Sequence, residues 1–135
     1  MSATLIALVA FAAWTGLLVF GLANLRIAIS ARTKKPLNSY SPSGDDLEGL
    51  GQRWTRVHLN CVEFLPIFGA VALAAIAAGK TAVTDPLAMV VLYARIAQSA
   101  VHLIGTSVPL VFARATLFVV QLAIVLWWAF QLLAG

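Results

Sequence analysis

Residues 53–68, RWTRVHLNCVEFLPIF, carry charged side chains into an otherwise apolar stretch, which is typical of a membrane-spanning helix with a polar face. Successive residues of an α-helix are turned by about 100°, so a stripe roughly 80° wide contains Arg53, Arg56, Asn60 and Glu63. Glu63 then lies about 10 Å beyond Arg56, at a depth that belongs to the hydrocarbon core of a bilayer. An isolated charge there costs at least about 2.5–3.5 kcal/mol, so Glu63 should face protein or a water-filled cavity and have a partner.

The composition places the whole chain in a membrane. Of its 135 residues, 61% are hydrophobic and 10% are charged, and the mean hydropathy is +0.95. A soluble domain has about 45–50% apolar and about 25% charged residues. The length leaves room for about four spanning helices with their connections. The formal net charge of +4 comes from scattered residues and not from a basic tract, so we expect no nucleic-acid partner.

Four apolar runs predict four membrane-spanning helices in a single domain that covers residues 1–135. The predicted spans are about 3–28, 53–79, 86–105 and 110–133. Residues 31–52 are the only extended polar section, and their prolines and glycines predict a loop. Asp85 is the predicted N-cap of the third span, and Pro109 favours a helix start at the fourth. The predicted fold class is an all-α integral membrane protein, a bundle of four transmembrane helices.

The lysines and arginines predict the orientation of the bundle. The loop 31–52 and its flanks hold Arg26, Arg32, Lys34, Lys35, Arg53 and Arg56. The connection on the opposite side has only Lys80. Because lysine and arginine are enriched in cytoplasmic loops, we expect the loop 31–52 in the cytoplasm and both termini on the far side.

A partner for Glu63 comes from the third run, where Arg95 lies near the middle of the bilayer. Counting about 1.5 Å per residue, Arg95 is within side-chain reach of the depth of Glu63. A pair between them would neutralise both buried charges, and we predict a structural Glu63–Arg95 ion pair. The sequence leaves open whether this pair only holds helices or subunits together or also borders a ligand site.

Other polar residues predict a ligand cavity near the cytoplasmic side. Those closest to its mouth are Arg56, Asn60, His102 and Arg114. Gln98 lies one turn from His102 on the same face of the third helix, and Gln121 shares a face of the fourth helix with Arg114. The cavity is basic and suits an anionic polar ligand. The two histidines lack suitable spacing from cysteines or carboxylates, so we expect no metal site.

Three segments resemble the MAPEG family, the membrane-associated proteins in eicosanoid and glutathione metabolism. The segment RVHLNCVEFLPIF is similar to the second-helix signature of that family: an arginine, a histidine or glutamine, N-x-x-E and a nearby proline. The segments ARIAQSAVHLIG and ARATLFVVQL resemble its third and fourth helices. The chain resembles a bacterial-type member, similar to microsomal glutathione transferase and prostaglandin E synthase. Such a member would lie in the bacterial inner membrane with both termini in the periplasm.

The resemblance implies a homotrimer that binds glutathione, as co-substrate, between neighbouring subunits. The residues that would contact glutathione are Arg56, Asn60, Glu63, Gln98, His102 and Gln121. Arg114 matches the fourth-helix arginine that stabilises the glutathione thiolate, and it would be the catalytic residue. At a helix N-terminus the helix dipole would assist it. Phe118 and His102 stand where the prostaglandin-synthase branch has tyrosines, so two hydroxyls are missing.

The implied function is that of a membrane-bound glutathione-dependent transferase or peroxidase acting on lipophilic electrophiles, a detoxification reaction. Its partners would be membrane lipids and a lipophilic small molecule. The alternative is a non-catalytic lipid-binding or regulatory membrane protein of the same fold. A small transporter is a third class, since charged stripes also line translocation paths.

Overall fold

The computed structural model describes all 135 residues. The chain forms four long helices and has no strand. They are α1 (Ala3–Thr33), α2 (Gly49–Ala77), α3 (Thr81–Ile104) and α4 (Val108–Ala134), with a short 3-10 turn at Leu37–Ser39. All four are long and apolar enough to cross a bilayer. Even α3, with 24 residues, measures about 36 Å against a hydrocarbon core of about 30 Å. The predicted all-α fold with four spanning helices is confirmed.

The helices do not pack evenly, and this leaves a gap where a site can form. α3 packs against each of the other three helices, and α1 packs closely on α2. α4 leans mainly on α3, makes fewer contacts with α2 and does not pack on α1. The boundary between α2 and α4 is therefore the loosest in the bundle.

The core is built on a stripe of apolar residues that runs down α2. Val57, Cys61, Phe64 and Phe68 recur at spacings of three and four residues, and all are buried. The Phe68 ring stacks on the Phe11 ring of α1, with 5.3 Å between the centroids. In lipid the hydrophobic effect does not drive helices together, because the lipid tails are themselves apolar. The packing of these aromatic rings therefore provides attraction between α1 and α2.

A close approach between α1 and α2 depends on Gly21. The indole of Trp54 lies against this glycine, and a Cβ there would overlap the indole ring. Trp54 Nε1 donates a hydrogen bond to the backbone oxygen of Leu18, at 2.9 Å. The glycine thus lets a bulky α2 side chain reach the backbone of α1.

Asp85 does not cap α3, which begins at Thr81. Its carboxylate accepts hydrogen bonds from the backbone N–H of Thr4, at 2.8 Å, and from the Thr4 hydroxyl, at 2.6 Å. The Thr4 hydroxyl also lies 2.6 Å from that of Thr84. Because the first N–H groups of a helix lack internal acceptors, Asp85 acts as a cap for α1 in place of α3. It fastens the two helices at the end of the bundle away from the 34–48 connection.

We expect Asp85→Ala to lower the free energy of unfolding by about 1–2 kcal/mol, because it removes the cap and leaves the Thr4 N–H without an acceptor. Denaturant titration in micelles, followed by tryptophan fluorescence, measures this change. Glu48→Ala is the matched control, since Glu48 is exposed and caps nothing, and it should stay within about 0.5 kcal/mol. Equal stability of the two variants would show that the Asp85 cap contributes nothing.

The connection between α1 and α2 is shorter and more ordered than the predicted loop. α1 continues to Thr33 and α2 begins at Gly49, so the connection comprises residues 34–48. Tyr40 folds back onto α1 and donates a hydrogen bond to the backbone oxygen of Arg26, at 2.9 Å. Lys35 pairs with Asp46, at 3.2 Å. These contacts hold the connection against the same end of the bundle as the 105–107 turn.

Candidate functional site

A groove of about 460 Å³ opens between α2, α3 and α4, at the end of the bundle where the 34–48 connection lies. Nine residues line it: Arg56, Leu59, Asn60, Glu63, Gln98, His102, Arg114, Ala115 and Phe118. The sparse contact between α2 and α4 keeps the groove open to the side. Six of the seven residues predicted to bind glutathione or catalyse its reaction meet in this groove.

Gln121 is the seventh, and it lies behind the wall of the groove. It is fully buried, and its Nε2 donates to Gln98 Oε1 at 3.0 Å and to the Leu117 backbone oxygen at 2.8 Å. Because Gln98 accepts through its oxygen, its own amide N–H groups remain free for the groove. In the single chain Gln121 therefore reaches the groove only through Gln98, whose carboxamide it holds.

The charges of the groove are two arginines and one glutamate. Arg56 and Glu63 come from α2, and Arg114 comes from α4. This arrangement leaves one positive charge in excess. The amides of Asn60 and Gln98 supply neutral donors and acceptors between the charged groups. Such a site can hold a ligand with several ionic groups in one orientation, because guanidinium groups bind carboxylates through paired hydrogen bonds.

Arg114 lies further from the N-terminus of α4 than the sequence predicted. α4 begins at Val108, so Arg114 is in its second turn. The effect of the helix dipole falls off within the first turn, so the dipole adds little at Arg114. Any stabilisation of an anion there must come from the guanidinium itself.

The predicted Glu63–Arg95 ion pair is not formed in the chain, whose ion pairs are Lys35–Asp46 and Arg56–Asp45. Arg95 is 1% exposed, and its guanidinium lies over the Phe64 ring, 4.6 Å from the centroid. Its one hydrogen bond, at 3.5 Å, goes to the backbone oxygen of Asn60. Nε and one terminal nitrogen have no partner.

The orientation of the two side chains on their helices explains why Glu63 and Arg95 do not form the predicted ion pair. Cys61 and Phe64 mark the buried face of α2. Glu63 is turned by about 200° from Cys61, so its side chain points to the groove and the outer surface. Arg95 instead points to the interior, where its guanidinium also lies 5.5 Å from the Phe11 ring of α1.

Two features of the site were not predicted from the sequence. Leu59 and Ala115 add apolar surface to the wall, and only their positions one turn before Glu63 and Phe118 could have indicated them. Asp45 reaches Arg56 from the connection, with 3.6 Å between carboxylate oxygen and guanidinium nitrogen. Asp45 lies in an exposed acidic run of the connection. Nothing in its sequence indicates that the chain turns back at this point.

No group of three histidine, cysteine, aspartate or glutamate residues is placed to hold a metal ion. The sequence model of the MAPEG family matches residues 4–134. The chain belongs to the MAPEG family. Membership agrees with the four-helix bundle, makes the chain an integral multi-pass membrane protein, and supports a glutathione-related function of the transferase or peroxidase type in general. A search of characterised proteins and a search of solved structures gave no significant match.

In this MAPEG protein Asp45 competes with any anionic ligand for Arg56. We therefore expect Asp45→Asn to tighten the binding of an anionic ligand, tested with glutathione, by up to about fivefold, since an exposed ion pair contributes about 0.2–1 kcal/mol. Titration calorimetry in detergent measures the dissociation constant. Asp46→Asn is the control, because Asp46 pairs with Lys35 outside the groove. A weaker affinity of Asp45→Asn would mean that Asp45 helps to bind the ligand.

Proposed function

We propose that this MAPEG protein is a glutathione-dependent transferase or peroxidase that activates the glutathione thiolate against lipophilic electrophiles. The charge pattern of the groove supports this most directly. Glutathione has two carboxylates, one ammonium group and a thiol, and the groove offers Arg56, Arg114 and Glu63. The net charge of glutathione is negative, whereas the charged side chains of the groove sum to a positive value.

The chemistry assigned to Arg114 is the stabilisation of a sulfur anion. A free thiol has a pKa of about 8.5, and the nucleophile is the thiolate. A guanidinium beside the sulfur favours the charged form, and each unit by which the thiol pKa falls needs about 1.4 kcal/mol of differential stabilisation. The proton leaves to water, and the sulfur then attacks the electrophile. Arg114 is half-buried, so its charge is less screened than that of an exposed arginine.

The second substrate would reach the groove from the bilayer. Leu59, Ala115 and Phe118 form the apolar part of the wall. The exposed outer face of α4 continues this surface with Phe112 and Val119. An apolar electrophile dissolved in the lipid can therefore approach the sulfur without crossing the charged end of the groove.

The open side of the groove supports a homotrimer in which a neighbouring subunit covers the ligand. The groove is formed by α2, α3 and α4, and α1 takes no part in its lining. The resemblance to the family implies the same assembly. Native mass spectrometry of the detergent-solubilised protein should show three chains, and a monomer that binds glutathione at full affinity would contradict the assignment.

The experiment that tests the function uses purified protein, glutathione and two electrophiles. With chlorodinitrobenzene the protein should form the glutathione conjugate, and with cumene hydroperoxide it should form oxidised glutathione. Binding of glutathione is measured separately by calorimetry. A folded protein that neither binds glutathione nor forms either product would overturn the proposal.

The alternative is a lipid-binding protein without activity, and a second groove favours it. This groove has about 260 Å³ and lies between α2 and α4 at the opposite end of the bundle. Its lining is wholly apolar: Ala70, Val71, Ala74, Ala129, Leu132 and Leu133. The absence of hydroxyl groups at Phe118 and His102 also favours the lipid-binding alternative. Lipid that copurifies in a fixed ratio with an inactive protein would favour this alternative.

For the orientation, we propose that the 34–48 connection is cytoplasmic and that both termini lie on the far side, in the periplasm if the membrane is a bacterial inner membrane. The basic residues near the connection support this, as does Lys80 as the only basic residue of the opposite turn. Reporter fusions at Tyr40 and at the C-terminus should report opposite sides. The same accessibility for both would contradict the four-span topology.

A further inference from the structure

Two cations at the end of α1 have no counter-charge in the chain. Arg32 lies in the last turn of the helix, Lys34 follows its last residue, and both side chains are exposed. The two ion pairs of the chain use other cations, Lys35 and Arg56. Neither Arg32 nor Lys34 lines the groove between α2, α3 and α4. Together they form a separate patch with two positive charges, which we call the α1-end patch.

Lys34 has a backbone conformation that a lysine adopts only at a cost. Its φ is 58°, and it is the only non-glycine residue of the chain with a positive φ. Its N–H donates to the backbone oxygen of Ser30, at 2.9 Å, and so closes the last turn of α1. Glycine adopts this left-handed conformation more easily and is common at the end of a helix. The end of α1 therefore does not require a lysine, and the charge of Lys34 calls for a separate explanation.

The length of α1 places the α1-end patch at the level of the lipid headgroups. At about 1.5 Å per residue, Arg32 lies about 42 Å along the helix from Thr4. Thr4 forms the polar cluster with Thr84 and Asp85 at the opposite end of the bundle. The hydrocarbon core is about 30 Å thick, and a bilayer with its headgroups is about 40–45 Å thick. With Thr4 at one surface of the membrane, Arg32 and Lys34 lie among the headgroups of the other.

An exposed apolar side chain follows the two cations in the chain. Leu37 begins the 3-10 turn of the connection, three residues after Lys34, and is 64% exposed. Tyr40 holds this part of the connection on α1, because its hydroxyl lies 2.9 Å from the Ser30 hydroxyl and donates to the Arg26 backbone oxygen. Basic residues close to an exposed leucine are typical of segments that bind an anionic membrane surface. A small soluble anion would gain nothing from Leu37.

We propose that the α1-end patch binds the phosphate group of an anionic phospholipid, with Leu37 against the glycerol end of an acyl chain. Charge complementarity favours an anionic lipid over a zwitterionic one, because the two cations have no carboxylate partner. Each basic residue near an anionic membrane surface strengthens binding about fivefold. The lipid site shares no residue with the groove, so it does not depend on the proposed function.

The test measures how strongly the purified protein prefers phosphatidylglycerol to phosphatidylcholine. The full chain is equilibrated in micelles that contain both lipids in equal amounts, and native mass spectrometry gives the ratio of the two bound lipids. Lys34→Gly should lower this ratio about fivefold, and Lys34→Gly combined with Arg32→Gln should lower it about 25-fold. Lys80→Gln is the control and should leave the ratio unchanged, because Lys80 is a cation at the opposite end of the bundle.

Lys34→Gly also separates lipid binding from a structural role of the lysine. Because glycine suits the left-handed conformation, this variant should be at least as stable as wild type to denaturant while its lipid preference falls. A loss of stability that accompanies the loss of lipid would overturn the proposal.

Three further results would contradict the lipid site. One is an equal lipid ratio in wild type and the double variant, and another is an equal fall of the ratio in Lys80→Gln. The third is displacement of phosphatidylglycerol by millimolar inorganic phosphate at constant ionic strength, which would indicate a site for free phosphate. Leu37→Ser should weaken the retention of phosphatidylglycerol, whereas unchanged retention would exclude the acyl-chain contact. Each result stands whether or not the protein conjugates glutathione.

Discussion

Arg114→Ala should lower kcat/KM for the proposed glutathione conjugation at neutral pH by about 10²–10³-fold, with the fold and the proposed trimer retained. Arg114 is the groove cation without a carboxylate partner in the chain, since Arg56 is paired with Asp45. Without its guanidinium the bound thiol should ionise at a higher pH, so less thiolate is present at neutral pH. The ultraviolet absorbance of the thiolate, measured on bound glutathione, follows this loss directly.

The dependence on pH distinguishes a lost thiolate from a lost fold. As pH rises toward the pKa of the free thiol, about 8.5, more thiolate forms without help, so the variant should regain part of its rate. Arg32→Ala is the control, because Arg32 is an exposed cation at the end of α1 and takes no part in the groove. A rate of Arg114→Ala equal to that of wild type, or a wild type that binds glutathione without any thiolate signal, would remove Arg114 from the mechanism.

The second large effect concerns Arg95, whose replacement by methionine should raise the free energy of unfolding by about 1–4 kcal/mol. A buried guanidinium with one long hydrogen bond and no carboxylate retains much of its desolvation cost. Methionine fills a similar volume between Phe11 and Phe64 without that cost. Denaturant titrations of wild type and Arg95→Met in micelles measure the difference in their free energies of unfolding. The free energy of unfolding of Arg95→Ala should be lower than that of Arg95→Met, because alanine leaves a cavity beside the two rings.

A double-mutant cycle measures whether Glu63 and Arg95 are energetically coupled in the folded protein. In the single chain the two side chains face different ways, so the effects of Glu63→Gln and Arg95→Met should add within about 0.5 kcal/mol. Strong destabilisation by Arg95→Met together with coupling to Glu63→Gln would show that the two charges meet, within one chain or across a subunit boundary. The structure of the chain argues for additivity.

The number of helices and most of the residues that line the groove follow from the sequence alone. Long apolar runs have only one stable arrangement in lipid, because a spanning segment must satisfy its backbone hydrogen bonds within a helix. Helical spacing then decides which residues share a face, and for this reason Arg56, Asn60 and Glu63 lie together in the groove. Gln98 and His102 follow the same rule on α3. Pro109 marked the start of α4 correctly, since proline suits the first turn of a helix.

The tertiary structure alone decided which face of each helix points inward. In a soluble protein the apolar face identifies the core, but a membrane helix is apolar toward lipid as well as toward its neighbours. The sequence could therefore align Glu63 and Arg95 in depth without showing that one faces the groove and the other faces Phe11.

The same reason applies to contacts between parts of the chain that are distant in sequence. Asp85 caps α1 because α1 and α3 begin side by side, and Asp45 meets Arg56 because the connection folds back. Gln121 lies behind Gln98 because α4 leans on α3. Local spacing specifies the face on which a polar residue lies, whereas the packing of the four helices specifies its partner.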